Sequence, residues 1–409
     1  MKQTVLTFIA DIKGAETEKL KEVFAVIHAN LLKNPYISFQ EVTLVHFASF
    51  VIANEQSANP QLIFENNFDG DVSVYLDELT TVAGHGLHEI YRHCKGYDQQ
   101  AMNAGYISNY LQSRIVRPNA FHIGNVGREA KVVRENQLLR ETLQQNLDNL
   151  FSRKPPASYT APALRKDLLA TIPIPQALPP HQSVAEKVLP WVKLVLFGLV
   201  CGPLLIIPAL VAIPILRRLE KTDIPDDKPA SAADISQFII TENQITQNHL
   251  AVVTDIKSPK FRLYLLKFVL FAINLIARTA TKGKLSGIPS IHFAHWSVIN
   301  NGQQMLFLSN YDGSWISYLD DFIDKAARGL TGIWSNSKGF PSTRFLILDG
   351  ARDELQFKAY SRNHQVPSLV WYSAYRDLTV QNIDKDSKIR EAIPANLTDT
   401  ETEAWLKLF

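Results

Sequence analysis

Apolar and polar residues alternate, or run together briefly, in TVLTFIADI from Thr4, LVHFASFVIA from Leu44 and QLIFENNF from Gln61, and each run reads as a strand. TEKLKEVFAVIHANL from Thr17 instead repeats its apolar residues at three- and four-residue intervals, the period of a helix face. A second helix is expected from about Val72 to Cys94, and FHIGN from Phe121 closes the series as a strand. The same grammar is then written again. LAVVTDI from Leu250, FRLYLLKFVLFAINLIAR from Phe261, SIHFAHWSVI from Ser290, MLFLSNYD from Met305 and a helix from about Trp315 to Ser337 follow in that order. TRFLILD from Thr343 and SLVWYSA from Ser368 supply the closing strands.

The two passages also share their wording. NFDGDVSVYLDEL from Asn67 matches NYDGSWISYLDDF from Asn310, VHFASFVI matches IHFAHWSV, and GLHEIYRHCKGY from Gly86 matches GLTGIWSNSKGF from Gly329. The order β-α-β-β-α-β in each copy predicts an α+β protein of tandem duplicated ferredoxin-like (split βαβ) domains, 1–150 and 246–395, packed face to face as a pseudo-dimer and followed by a tail, 396–409. At each Asp-Gly, Asp69 or Asp312 is expected to cap the helix that follows, and Gly70 or Gly313 to take positive φ. Residues kept in both copies (His46 and His292, Asp69 and Asp312, Tyr75 and Tyr318, Asp77 and Asp320) read as structural, so asymmetry between the copies is the better pointer to function.

Between the copies, 151–245, lies an apolar segment at 189–219. Leu194 to Leu216 carries no charge and as a helix would extend roughly 35 Å, enough for a bilayer core. A single crossing would separate the two halves, whereas Pro203, Pro208 and Pro214, with Gly198 and Gly202, favour a re-entrant or hairpin insertion into one leaflet. Trp191 and the cations Lys187, Lys193, Arg217, Arg218 and Lys221 would anchor it; a true span and a buried connector are the other readings. The first helix of the second copy is more apolar than its counterpart, with Arg262, Lys267, Arg278 and Lys282 toward its ends or one flank, as in an interfacial helix. The flanking stretches SRKPPASYTAPALRKD, TIPIPQALPPHQ and TDIPDDKPASAAD read as extended tethers.

Composition narrows the function only a little. The 409 residues are 46% hydrophobic and carry 42 basic against 40 acidic groups, so nothing marks a nucleic-acid partner. Two cysteines and an N-terminus without a secretory pattern fit a reducing, cytoplasmic compartment. His85, His88, His93 and Cys94 form an asymmetric cluster, but their spacing misses HExxH, and no metal site is expected. In IHFAHW, His292 and His295 are three apart on a strand and so are expected on opposite faces. His295 has no histidine counterpart in the first copy. It is the leading candidate for ligand or acid–base work, with Asp312 and Asp69 as polar partners. His292, Arg344 and His364 join it as candidate cofactor contacts, and Trp315, Trp334, Trp371, Tyr372 and Tyr375 as candidate pocket walls. Arg128, Arg134 and Arg140 could meet an anion. Walker, dinucleotide-binding, nucleophile-elbow and kinase motifs are all absent.

GIPSIHFAHW, SNYDGSWISYLDDFIDKAARGLTGIWSNS and WYSAYRDLTVQNI resemble a group of long, mostly bacterial proteins that brings no activity with it. More remotely, the chain resembles dye-decolorizing peroxidases, whose two ferredoxin-like halves hold haem between a histidine and an Asp-Gly. Asp69-Gly70 and Asp312-Gly313 match the end of that family's GxxDG, while its leading glycine is Asn66 in one copy and Ser309 in the other. The resemblance implies a haem-dependent, peroxidase-like oxidoreductase; the asymmetry of His295 makes it the candidate haem ligand or base, and the apolar connector places such an enzyme on the cytoplasmic face of a membrane, acting on a lipophilic small molecule. The competing expectation is a non-catalytic, membrane-anchored binding or scaffold protein. Both are monotopic or peripheral with membrane lipid as partner, and both are compatible with homo-oligomers.

Overall fold

The computed structural model describes residues 2–173, 184–226, 228–229, 231–242, 246–280 and 285–409. Residues 174–183 and Lys282, and the side chains of Lys187, Cys201 and Arg278, on which part of the sequence reading draws, lie outside the described residues. In chain order the first half runs β1 (Gln3–Asp11), α1 (Thr17–Ala29), β2 (Val45–Ala53), β3 (Gln61–Asp69), α2 (Val72–Tyr91), α3 (Ala104–Gln112), β4 (Ile115–Val116), β5 (Ala120–Ile123) and α4 (Ala130–Arg153). Helices α5 (Ala161–Leu169), α6 (Val184–Glu220) and α7 (Ala232–Thr241) connect it to the second half. That half runs β6 (Gln247–Asp255), α8 (Lys260–Ala280), β7 (Ile291–Ile299), β8 (Gln304–Asp312), α9 (Trp315–Trp334), β9 (Thr343–Arg344), β10 (Leu348–Asp349), α10 (Glu354–Asn363), β11 (Gln365–Val366), β12 (Ser368–Ser373), α11 (Val380–Ala392) and α12 (Asp399–Leu406).

Two five-stranded antiparallel sheets carry this mixed α/β fold, one in the order β12-β2-β3-β1-β4 and the other β11-β6-β8-β7-β5. Read from opposite ends, the orders correspond strand for strand. Each closing strand pairs away from its own half: β5 lies along β7 and β12 along β2. The sequence places FHIGN and SLVWYSA correctly as strands but not in the sheets they join. TRFLILD forms only the two-residue ladder of β9 and β10, because Phe345 and Leu346 turn the chain back through positive φ.

The outer face of each sheet is covered by helices over an aromatic core. Phe50 stacks on Phe64 at 4.1 Å beneath α1 and α2, and Trp296 on Phe307 at 4.7 Å beneath α8 and α9. The inner faces meet each other. Val51, Ala53, Ile63, Ala251, Ile299, Leu306 and Leu308 form one apolar layer; Val5, Phe47, Phe293, Tyr375 and Leu378 contribute to a second. A further cluster ties the end of the first half to the end of the second, with Leu143, Leu164, Leu168, Ile389 and Trp405 buried between α4, α5, α11 and α12. The stretch SRKPPASYTAPALRKD is therefore packed rather than an extended tether: Leu164 and, just past its end, Leu168 are buried, and Arg165 donates to the carbonyls of Ala392 and Ile393 at 2.8 and 3.0 Å.

The apolar connector is one continuous helix, α6, without the expected reversal. Isolated prolines fit helical φ and each removes one hydrogen bond, which bends a helix more readily than it turns it back. Among the described residues no helix is long and apolar enough to cross a membrane.

Candidate functional site

Strand alternation alone would set His292 and His295 on opposite faces. Both face the inter-sheet space, because β7 carries a register shift between Ile291 and Phe293; β2 carries the equivalent shift between Val45 and Phe47. Adjacent residues on each bulged strand, His46 with Phe47 and His292 with Phe293, consequently enter the interface together. They interlock across it, with ring centroids 5.2 Å apart for His46 and Phe293 and 5.1 Å for Phe47 and His292. A close approach seals the bulge on β7: Gly124 donates to the His292 carbonyl at 2.8 Å, and a Cβ on Gly124 would stand 2.2 Å from the Ile291 carbonyl oxygen.

The two aspartates of the repeated Asp-Gly have matching partners. His46 Nε2 donates to Asp69 Oδ1 at 2.9 Å, and Asp69 Oδ2 accepts the Ala130 N–H at 2.8 Å. His292 Nε2 donates to Asp312 Oδ1 at 2.7 Å, and Asp312 Oδ2 accepts the Val380 N–H at 2.8 Å. Each aspartate thus caps the helix that ends its half, α4 or α11, and not the next helix in sequence. Ser314 caps α9, while Gly70 and Gly313 adopt the expected positive φ of 90° and 80°. With its Nε2 proton committed to Asp69, His46 accepts from the Tyr375 hydroxyl at 2.8 Å through Nδ1. The equivalent nitrogen of His292 has no hydrogen-bond partner among the described residues, since Asn125 stands where Tyr375 stands in the other half and bonds Asp384 instead.

His295 belongs to a second buried network, centred on a residue that sequence reasoning missed. Glu65 of β3 receives His249 Nε2 at 2.9 Å and Ser49 Oγ at 3.0 Å on one oxygen, and the amides of Asn67 at 3.0 Å and Asn310 at 3.1 Å on the other. His295 Nε2 lies 3.0 Å from Thr7 Oγ1, and its Nδ1 is 3.7 Å from Glu65. The Trp371 indole donates to Asn310 at 2.8 Å. Burial pushes the Glu65 carboxyl upward, but the charge and hydrogen bond of His249, the charge of His295 and the bond from Asn67 outweigh it and hold the group at about 2. Burial lowers His295 to about 4 against the opposing pull of Glu65, so its ring is neutral at pH 7. Alternation hides Glu65: it shares strand parity with Gln61, Ile63 and Asn67, the more polar side of a run whose Leu62, Phe64 and Phe68 mark the core face, and only the second sheet buries it.

The candidate residues do not gather at one place. His295, His292, Asp69 and Asp312 lie between the sheets, buried or nearly so. Arg344 is exposed and forks onto Asp349, and His364 donates from Nδ1 to the Tyr360 carbonyl at 2.9 Å in the second half. In the early histidine cluster, His88 meets the Tyr97 hydroxyl and His93 meets Glu16, while burial pushes the Cys94 thiol up to about 12. Among the described residues no group of three or more His, Cys, Asp or Glu is arranged to hold a metal ion.

Nor do the residues present fit haem. His295 is fully enclosed with its Nε2 against Thr7, and Val51, Leu306, Phe47, Phe293 and Tyr375 fill the space between the sheets that the macrocycle would need. An apolar void of about 20 Å³ beneath α9 and α10 takes in Trp334 but none of the candidate histidines or aspartates, and an open cleft of about 420 Å³ beside Asp255, Lys257 and Lys338 takes in none of the candidate residues. No protein-family model and no curated protein matches this chain.

Proposed function

We propose that this chain is a non-catalytic scaffold docked on the surface of a membrane, built from two duplicated ferredoxin-like halves clasped through their exchanged closing strands. The matching strand orders, the paired bulges and the paired His–Asp–helix caps support the duplication. Full enclosure of His295 favours this reading over the oxidoreductase, which needs a path for substrate to that ring.

One observation carries the membrane half of the proposal. Helix α8 buries Leu266 and Leu270 against the second core yet turns Tyr264, Phe268 and Phe271 outward, and α6 packs against it with Phe197 and Phe271 centroids 5.5 Å apart. Along α6, Trp191, Leu196, Leu199, Leu204, Ile207 and Leu210 are exposed as well. Helix α1, the counterpart of α8, presents Glu18, Lys19 and Glu22 to solvent instead. A contiguous apolar face of this size, rimmed by Lys193, Lys267, Arg218 and Lys221, matches the acyl–headgroup boundary of a bilayer. Peripheral docking keeps both halves on one side, and the cytoplasmic face of the membrane is the side we assign.

Vesicle co-sedimentation tests this. Replacing Leu196, Leu199, Ile207 and Leu210 together with serine is expected to lower recovery on phospholipid vesicles at least about tenfold, by removing most of the area available for burial. Equal recovery of the serine variant, or no recovery of the unaltered protein, overturns the reading.

A further inference from the structure

The turn between β9 and β10 combines three features that internal packing does not require. Phe345 and Leu346 hold φ of 52° and 72°, a region that side chains larger than glycine rarely occupy. Phe345 and Ile347 are nevertheless 53% and 42% exposed, so the strain is not offset by burying either of them. A buried carboxylate holds the turn in place. Glu220, at the end of α6, accepts the N–H groups of Phe345 at 3.0 Å and Leu346 at 2.8 Å and the Thr343 hydroxyl at 3.3 Å, and it pairs with Arg217. The Arg217 guanidinium in turn covers the Phe345 ring at 4.8 Å.

The surroundings are cationic. Arg218, Lys221, Arg344 and Arg352 are exposed at or near this corner of the molecule. Asp349, which Arg344 grips, has its carboxyl lowered first by that hydrogen bond and further by the charges of Arg344, Arg352 and Arg217, which marks these cations as neighbours. Strained backbone, outward hydrophobic side chains and a cationic collar occur together where α6 joins the body of the protein.

We infer that the turn Thr343–Ile347 is an aromatic wedge: Phe345 and Ile347 enter the interface of an anionic phospholipid surface while Arg218 and Arg352 meet its phosphates. The inference rests on the membrane reading above and adds to it a second insertion point and a choice of lipid. Glu220 makes the wedge rigid before it binds, so little ordering entropy is lost on contact.

The test uses the full chain with Cys201→Ser and Phe345→Cys, labelled at the new thiol with an environment-sensitive dye; Cys94 is buried and poorly ionised. On vesicles containing phosphatidylserine the emission is expected to shift to the blue, rise about threefold or more, and be quenched by spin-labelled acyl chains. Phe345→Asp, in the otherwise native chain, is expected to weaken binding to the same vesicles about tenfold without changing the melting temperature. A label that stays in water while the protein sediments with vesicles overturns the wedge and leaves surface docking standing. An equal response on purely zwitterionic vesicles overturns the role given to the arginines. If the unaltered protein does not sediment at all, wedge and docking fall together.

Discussion

Glu65 shows how a single residue can hold two halves in register. Its carboxylate draws donors from Ser49 and Asn67 of its own half and from His249 and Asn310 of the other, all buried. Glu65→Ala leaves those donors without their acceptor and is expected to cost about 3–5 kcal/mol in a denaturant titration, with Glu65→Gln costing less. Acid should loosen the same region through His295, and the opposite face of the second sheet through His122, which on β5 lies level with Ala294. His295 and His122, lowered by burial to about 4, take up their protons in the unfolded chain near 6.5 but in the folded chain only near 4, so their stabilisation is present above 6.5 and lost as pH falls toward 4. Glu65 adds to the loss between its ordinary 4.5 and about 2. His122→Phe, at a site with no hydrogen bond to lose at Nε2, is expected to recover up to about 3 kcal/mol of stability near pH 4, read from melts across pH 7.5 to 4.

At the scale of elements, the exchanged strands couple distant parts of the chain. Strand β12 pairs with β2 through Trp371 opposite Ser49 and Tyr372 opposite Ala48, and Val370 and Tyr372 enter the core of the first half. Val370→Asp, made in the second half, is therefore expected to raise amide exchange in Phe47–Ile52 of the first by at least about a hundredfold, because a buried unpaired carboxylate would expel the strand. Exchange confined to β12 itself would contradict this account. The helices follow a simpler rule. Apolar periodicity located α2 and α9 to within a few residues, and the packing of α5 against Trp405 escaped notice because a proline-rich stretch reads as a tether when its partner lies far along the chain.

For the whole molecule, two halves that each lend a strand to the other should not fold well apart. Residues 1–245 expressed alone would present β2 as an open edge with Phe47, Val51 and Ile63 uncovered, and residues 246–409 would leave β7 without β5. Each piece is expected to aggregate when expressed separately, and the two to yield a soluble complex when co-expressed. Soluble, cooperatively melting single pieces would show that the exchange is dispensable.

Alternation of period two and apolar repeats near period three and a half are local properties, so residue order alone determined the long strands, the helices α1, α2, α8 and α9, the turn glycines and the echo of one half in the other. Pairing partners depend on which segments meet across hundreds of residues, and no local pattern encodes that. Only the folded chain decided that β5 and β12 change sheets, that a bulge turns His292 to the same side as His295, and that Asp69 and Asp312 cap α4 and α11. The same holds for the chemistry: His295 stood out as a histidine by its asymmetry, but its enclosure beside Glu65 follows from sheets packed through large side chains, which leave it no route to solvent.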